Sequence, residues 1–324
     1  MAKQVGLALG GGGARGWAHI GVIRALEAAD IKIDYISGTS IGAFVGAHYA
    51  IGELDELEEF VRGLDWQAIV SYFDVVFPRS GLLDGDRVYD LLSTNLLDLH
   101  IDQTKLPFCC VATDLMGGHP VCLRSGRMAD AVRASISLPG IFTPFQREGQ
   151  YLGDGGLVNP VPVDVVREMG ADVVVAVNLN NSNGTSGMPR QSTHSQPQPD
   201  NSEPRCQPHA DDAPDQEESS QEGFWGQVKD GYDTLQDGIS QRLNELTPNM
   251  EAVGPNIFDV LGTALNIMEQ QIMRSRLADH PPDILIEPHL SDYSIFDFHQ
   301  ADKIIEEGDR QTREAIAEIR KAIG

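Results

Sequence analysis

Short apolar runs of β type alternate along this chain with stretches whose apolar residues recur every three or four positions. Val5–Leu9, Ile33–Ser37, Phe108–Thr113, Asp172–Asn178 and Asp283–Glu287 have the length of buried strands. Between and after them the spacing predicts helices: one with Trp17, Ile20, Ile23 and Leu26 on one side, one over Ile41–Ile51, and a last one over Ala301–Ile323. The last helix places Ile304, Ile305, Ala315, Ile316 and Ile319 on a buried face, which makes it scaffold. Strands alternating with helices predict an α/β fold, a three-layer α/β/α sandwich around a mainly parallel central sheet. Ligands of such a sheet bind at the carboxyl ends of its strands.

The alternation is interrupted once. Residues 180–223 are rich in Ser, Asn, Gln and Pro, and carry Asp200, Glu203, Asp211, Asp212, Asp215, Glu217, Glu218 and Glu222. This composition has little to bury and predicts disorder. Residues 224–249 then show Phe224, Val228, Tyr232, Leu235, Ile239, Leu243 and Leu246 on one helical face. That helix is read as packed on the domain or a second subunit, with a lid or membrane-contact helix as the sharper alternative. The basic enrichment of interfacial helices is missing from its polar face. The expectation is therefore one domain over 1–324, interrupted by an insertion and completed by a helix–strand–helix segment over 256–324.

Three glycine-rich motifs carry candidate chemistry. Gly38-Thr39-Ser40-Ile41-Gly42 reads G-x-S-x-G between a strand and a helix, the context of a nucleophile elbow with serine at its apex. Gly10-Gly11-Gly12-Gly13-Ala14-Arg15-Gly16 follows the first strand and opens a helix. Unshielded N–H groups there suit a phosphate or an oxyanion, with Arg15 adding a donor or bracing the loop. The same residues satisfy G-x-G-x-x-G, with Asp34 about twenty residues on. A dinucleotide site wants its acidic residue at the end of the second strand, whereas Asp34 lies near the start. An oxyanion loop is preferred. The third motif is Asp154-Gly155-Gly156, preceded by Ser135-Ile136-Ser137-Leu138-Pro139-Gly140 and followed by Asn159-Pro160-Val161-Pro162.

These motifs in this order resemble the bacterial patatin-like phospholipases, over about residues 5–180 and more weakly from about Asn256 to the end. The resemblance implies a serine–aspartate dyad, with Ser40 as nucleophile and Asp154 as general base. It places Gly11, Gly12 and Gly13, helped by Arg15 and the N–H of Ile41, around the oxyanion hole. It implies hydrolysis of glycerophospholipid or lysophospholipid esters and no cofactor. The physical logic agrees: a serine hydroxyl needs an adjacent base, and partial burial raises an aspartate toward useful basicity. The alternatives are a Ser-Asp-His triad using His289 or His299, which follow Asp154, and a non-catalytic patatin-like adaptor. Ser135 and Ser137 lack a glycine elbow. Asp114 reads as structural and Trp17 as core packing.

A net charge of −24 argues against nucleic acid and against electrostatic docking on anionic lipid. A lipid enzyme with this charge needs an apolar contact patch, or acts on monomeric lysolipids and soluble esters. Cys109, Cys110, Cys122 and Cys206 show no metal spacing and read as free thiols. No metal is expected. Without a signal peptide or a spanning segment, the expectation is a cytoplasmic protein, with transient peripheral contact at the inner membrane face compatible with its substrate. Head group, acyl length and oligomeric state are left open by the sequence.

Overall fold

The computed structural model describes residues 3–64, 81–83, 89, 96, 99–180 and 257–324. One compact unit is built from Met1–Ser186 and Val260–Gly324. The stretch Gly187–Asp259 is a separate unit and, but for 257–259, lies outside the described residues. The expected disorder of 180–223 therefore lies outside them, Asn180 excepted, and so does the expected amphipathic helix of 224–249.

The central sheet is mixed and has eight strands. They are β1 (Val5–Leu9), β2 (Tyr35–Thr39), β4 (Phe108–Asp114), β5 (His119–Leu123), β7 (Phe145–Arg147), β8 (Gln150–Asp154), β9 (Val173–Val177) and β10 (Ile284–Ile286). A small parallel pair, β3 (Gly81–Leu83) and β6 (Gly140–Phe142), stands apart. In the order β10-β9-β1-β2-β4 all neighbours are parallel. Beyond β4 the strands β5, β8 and β7 pair antiparallel. The sandwich architecture and the mainly parallel sheet are as expected, with β5, β8 and β7 adding an antiparallel part beyond β4. Its strands are short hairpin arms, Phe145–Arg147 and Gln150–Asp154, without a long apolar run to announce them.

Helices cover both faces, which is why β1 is buried along its whole length. Leu7, Leu9, Ile36, Cys110, Val175 and Val177 share a core with α1 (Ala18–Ala28), α2 (Ile41–Ile51), α3 (Leu54–Arg62), α4 (Met128–Ser135) and α7 (Ala301–Ile323). On the opposite face Ala8, Val174 and Ala176 pack on Val163 and Val166 of α5 (Val163–Met169) and Met273 of α6 (Ile257–Asp279). The final helix is scaffold, with Ile304, Ile305 and Ile319 buried. Trp17 is also core, edge-on to Phe298 with ring centroids 5.7 Å apart.

One detail of register positions the site. β2 pairs with β4 from Ile36↔Phe108 to Thr39↔Val111. The next residue of β4, Ala112, pairs with Asp154 of β8. β5 occupies the other edge of β4 over Cys110–Asp114, so β2 and β8 must share one edge. They run toward each other along it, and their carboxyl ends meet. The residue after Thr39 is Ser40, and the last residue of β8 is Asp154.

Candidate active site

Ser40 stands between β2 and α2 at φ 55°, ψ −124°, a backbone region that non-glycine residues rarely occupy. Such a conformation costs on the order of 1–3 kcal/mol and survives only when its surroundings over-determine it. They do so here. The Ser40 N–H donates to Ser135 Oγ at 2.8 Å, and that hydroxyl donates to the Val111 carbonyl at 2.5 Å. The helix behind the serine lies hard against β1. A Cβ added to Gly42 would stand 2.3 Å from the Leu9 carbonyl oxygen, so no side chain fits there. Ser40 is half-buried, whereas the four residues before it are buried.

Asp154 is 2% exposed. Its Oδ2 accepts the Ser40 hydroxyl at 2.6 Å, and its Oδ1 accepts the Gly156 N–H at 2.7 Å, capping the short turn Gly155–Leu157. Its backbone is held as well. Its N–H donates to the Ser137 carbonyl at 2.9 Å, and its carbonyl accepts the Thr113 hydroxyl at 2.7 Å. Burial pushes the Asp154 carboxyl up to about 6, against the lowering effect of the Ser40 and Gly156 hydrogen bonds. The group is thus a stronger base than a solvated aspartate, yet mostly ionised at neutral pH.

The glycine loop lies alongside. A Cβ on Gly11 would come within 3.3 Å of Ser40 Cβ. Of the expected donors, Gly11 spends its N–H on the Pro160 carbonyl at 3.0 Å. The N–H groups of Gly12, Gly13 and Ile41 have no acceptor among the described residues. Arg15 points back into its own loop, with Nε donating to the Gly12 carbonyl at 3.3 Å. Burial lowers its guanidinium to about 10, while the nearby Glu269 opposes that shift. Arg15 therefore braces the loop. His19 adds a second brace, with Nε2 2.8 Å from the Gly10 carbonyl. Gly38, Gly42, Gly155 and Gly156 all sit where a side chain would collide with backbone or with a carboxylate.

Several residues of the site escape sequence reasoning. Ser135 and Ser137 are supports: Ser135 holds the elbow, and Ser137 exchanges hydrogen bonds with Arg133, accepting from Nη1 and donating to its carbonyl. Thr39 donates to the Asn159 carbonyl at 2.8 Å, so Asn159-Pro160 ties β2 to the glycine loop. Glu269 reaches the site from α6, more than a hundred residues beyond the last motif; nothing in a helical run of mixed polarity marks it. Asp114 caps its own turn through the Met116 N–H. His289 is exposed, and His299 lies beside Gln300; the described partners of the Asp154 carboxylate are Ser40 and Gly156. Cys109 and Cys110 are buried free thiols in β4 and Cys122 is exposed; Cys206 lies outside the described residues. Among the described residues no helix is long and apolar enough to cross a membrane.

The arrangement brings a serine hydroxyl, a buried carboxylate and backbone N–H groups together at one strand end. An uncharacterised NTE family protein of Mycobacterium tuberculosis (strain H37Rv) is 39% identical over 179 residues, which is 55% of this chain and 50% of that one. Patatin-like phospholipase domain-containing protein 7 of Rattus norvegicus is 35% identical over 190 residues, 56% of this chain and 14% of that one. The human domain-containing protein 6 is 34% identical over the same length. The chain thus spans about half the length of the mycobacterial relative and a small part of the mammalian ones. Among solved structures, VipD from Legionella pneumophila aligns with a TM-score of 0.45 at 13% identity, over 98% of this chain and 67% of that one. The family model for patatin-like phospholipases matches residues 7–167, and over that span the chain belongs to the patatin-like phospholipase family.

Proposed function

We propose that this protein is a serine acyl hydrolase cleaving carboxylic esters of lipids, of phospholipase A or lysophospholipase type. Ser40 Oγ attacks the ester carbonyl carbon as its proton passes to Asp154 Oδ2. The tetrahedral oxyanion is met by the N–H groups of Gly12, Gly13 and Ile41, and such donors contribute about 3–4 kcal/mol each to the transition state. Collapse breaks the ester C–O bond, and the departing alkoxide takes the proton from Asp154. Water then attacks the acyl-enzyme and gives its proton to Asp154, which returns one to Ser40 as the fatty acid leaves.

The single observation that carries this reading is the 2.6 Å hydrogen bond from Ser40 Oγ to Asp154 Oδ2 at a strained elbow. The family supports the lipid substrate. The test is hydrolysis of a p-nitrophenyl ester, of monomeric lysophospholipid and of phospholipid vesicles by wild type, Ser40→Ala and Asp154→Asn. Release of fatty acid by wild type, abolished in the first variant and reduced by about 10³-fold in the second, is expected. Equal hydrolysis by wild type and Ser40→Ala would refute the role of Ser40. A preference for vesicles would point to membrane contact, and a preference for the monomeric lipid to lysophospholipase action.

A further inference from the structure

A second carboxylate faces the dyad. Glu269 of α6 is half-buried and lies across Gly156 from Asp154. A methyl placed on Gly156 would stand 3.1 Å from Asp154 Oδ1 and 2.7 Å from Glu269 Oε1, so the two carboxylate oxygens flank the glycine within about 6 Å of each other. The charged groups that face Glu269 are Asp154 from β8 and Arg15 from the glycine loop. Arg15 makes no ion pair with it; its described bond goes to the Gly12 carbonyl. The described hydrogen bond to Glu269 comes from Asn180 Nδ2 at 3.3 Å, a long one.

Two carboxylates this close do not both ionise freely. Hydrogen bonding decides which carries the charge. Among the described residues Asp154 accepts two short bonds, 2.6 and 2.7 Å, that favour its anion, whereas Glu269 accepts one long one. We propose that Glu269 is a positioning residue that shares one negative charge with Asp154, keeping its own proton so that the charge sits on the carboxylate bonded to Ser40. The proposal rests on Ser40 and Asp154 acting as a dyad. Burial and the charge of Asp154 push Glu269 up to about 7, against the effect of Arg15 and Asn180, while Asp154 stays near 6. Between these values the pair holds a single charge. Above them Glu269 ionises, and a second anion stands where an oxyanion must form, so the reaction slows.

The sequence reading offers no hint of this residue, because only the fold brings α6 over the Asp154 turn. A side chain at position 156 would crowd both carboxylates, at 2.7 Å from Glu269 Oε1 and 3.1 Å from Asp154 Oδ1.

The test is the pH dependence of kcat/KM on a soluble ester for wild type, Glu269→Gln and Ser40→Ala. Wild type should rise through about pH 6 and fall again above neutrality. Glu269→Gln, an uncharged stand-in for the protonated acid, should lose the alkaline fall, so that its ratio to wild type grows by about tenfold between pH 6 and pH 9. A constant ratio across that range overturns the proposal, as does a variant that keeps the fall. If instead Ser40→Ala is as active as wild type, the dyad reading itself has failed. A second measurement needs no activity. Carboxyl ¹³C titration of glutamate-labelled protein, with Glu269 assigned by its loss in Glu269→Gln, should show proton release near neutrality, moving to lower pH in Asp154→Asn. Release in the ordinary glutamate range, or no movement in Asp154→Asn, overturns it.

Discussion

Replacing Ser135 by alanine removes one oxygen and strands two backbone groups. The Ser40 N–H loses its 2.8 Å acceptor, and the Val111 carbonyl loses its 2.5 Å donor. Ser135 is fully buried, so water does not replace it. Each unsatisfied group costs about 1–3 kcal/mol, and the loss falls on a residue whose backbone strain is itself of order 1–3 kcal/mol. The expected destabilisation is about 2–4 kcal/mol, equivalent to about 5–12 °C in Tm for a domain of this size. A relaxed elbow also moves Ser40 Oγ away from Asp154. The rate of labelling by a fluorophosphonate should fall about 10- to 100-fold, the kinetic equivalent of roughly 1.4–2.8 kcal/mol. Denaturant unfolding and the labelling rate of the folded fraction are measured together. Stability within about 0.5 kcal/mol of wild type, with unchanged labelling, would refute the claim that Ser135 holds the elbow.

Other perturbations have equally definite outcomes. Asp154→Asn should stabilise the protein at pH 8 by about 2–3 kcal/mol. The folded carboxyl lies above its unfolded value, so its favourable contribution is complete below about pH 4 and is lost as pH rises through about 6; the gain should vanish in unfolding measured at pH 4. Gly42→Ala should fail to yield stable protein, or lose more than about 3 kcal/mol, because the methyl meets the Leu9 carbonyl at 2.3 Å; Gly52→Ala, with nothing within 4 Å of its Cβ but φ at 87°, should cost only about 1 kcal/mol in the same melt. Arg15→Ala should lower kcat/KM by about tenfold or more, with a smaller effect on KM, since it frees the Gly12 carbonyl and loosens the donor loop.

The parallel half of the fold was legible because a strand buried on both faces must be apolar throughout, as Val5–Leu9 and Val173–Val177 are. The second strand begins at Tyr35, two residues later than its pattern suggests, because Ile33 packs in the core from the preceding loop. The antiparallel arms were not legible: their three to five residues carry exposed Gln146, Gln150 and Tyr151, and only β8 is set against the end of β4, with β7 paired to β8. Ser40, Asp154 and the glycine loop announced themselves through the small residues that close packing demands. The fate of individual donors did not, since Gly11 differs from Gly12 only in having Pro160 opposite its N–H. Ser135, Thr113 and Glu269 act through contacts made by distant segments, and no local pattern encodes a partner elsewhere in the chain.

The most direct test of the account is the intact mass and peptide map of folded protein treated with a fluorophosphonate at pH 8. One adduct, on the peptide carrying Ser40, absent from Ser40→Ala and slow to form in Asp154→Asn, is the predicted result. No adduct on folded wild type, or an adduct on another serine that persists in Ser40→Ala, would contradict the claim that Asp154 activates Ser40.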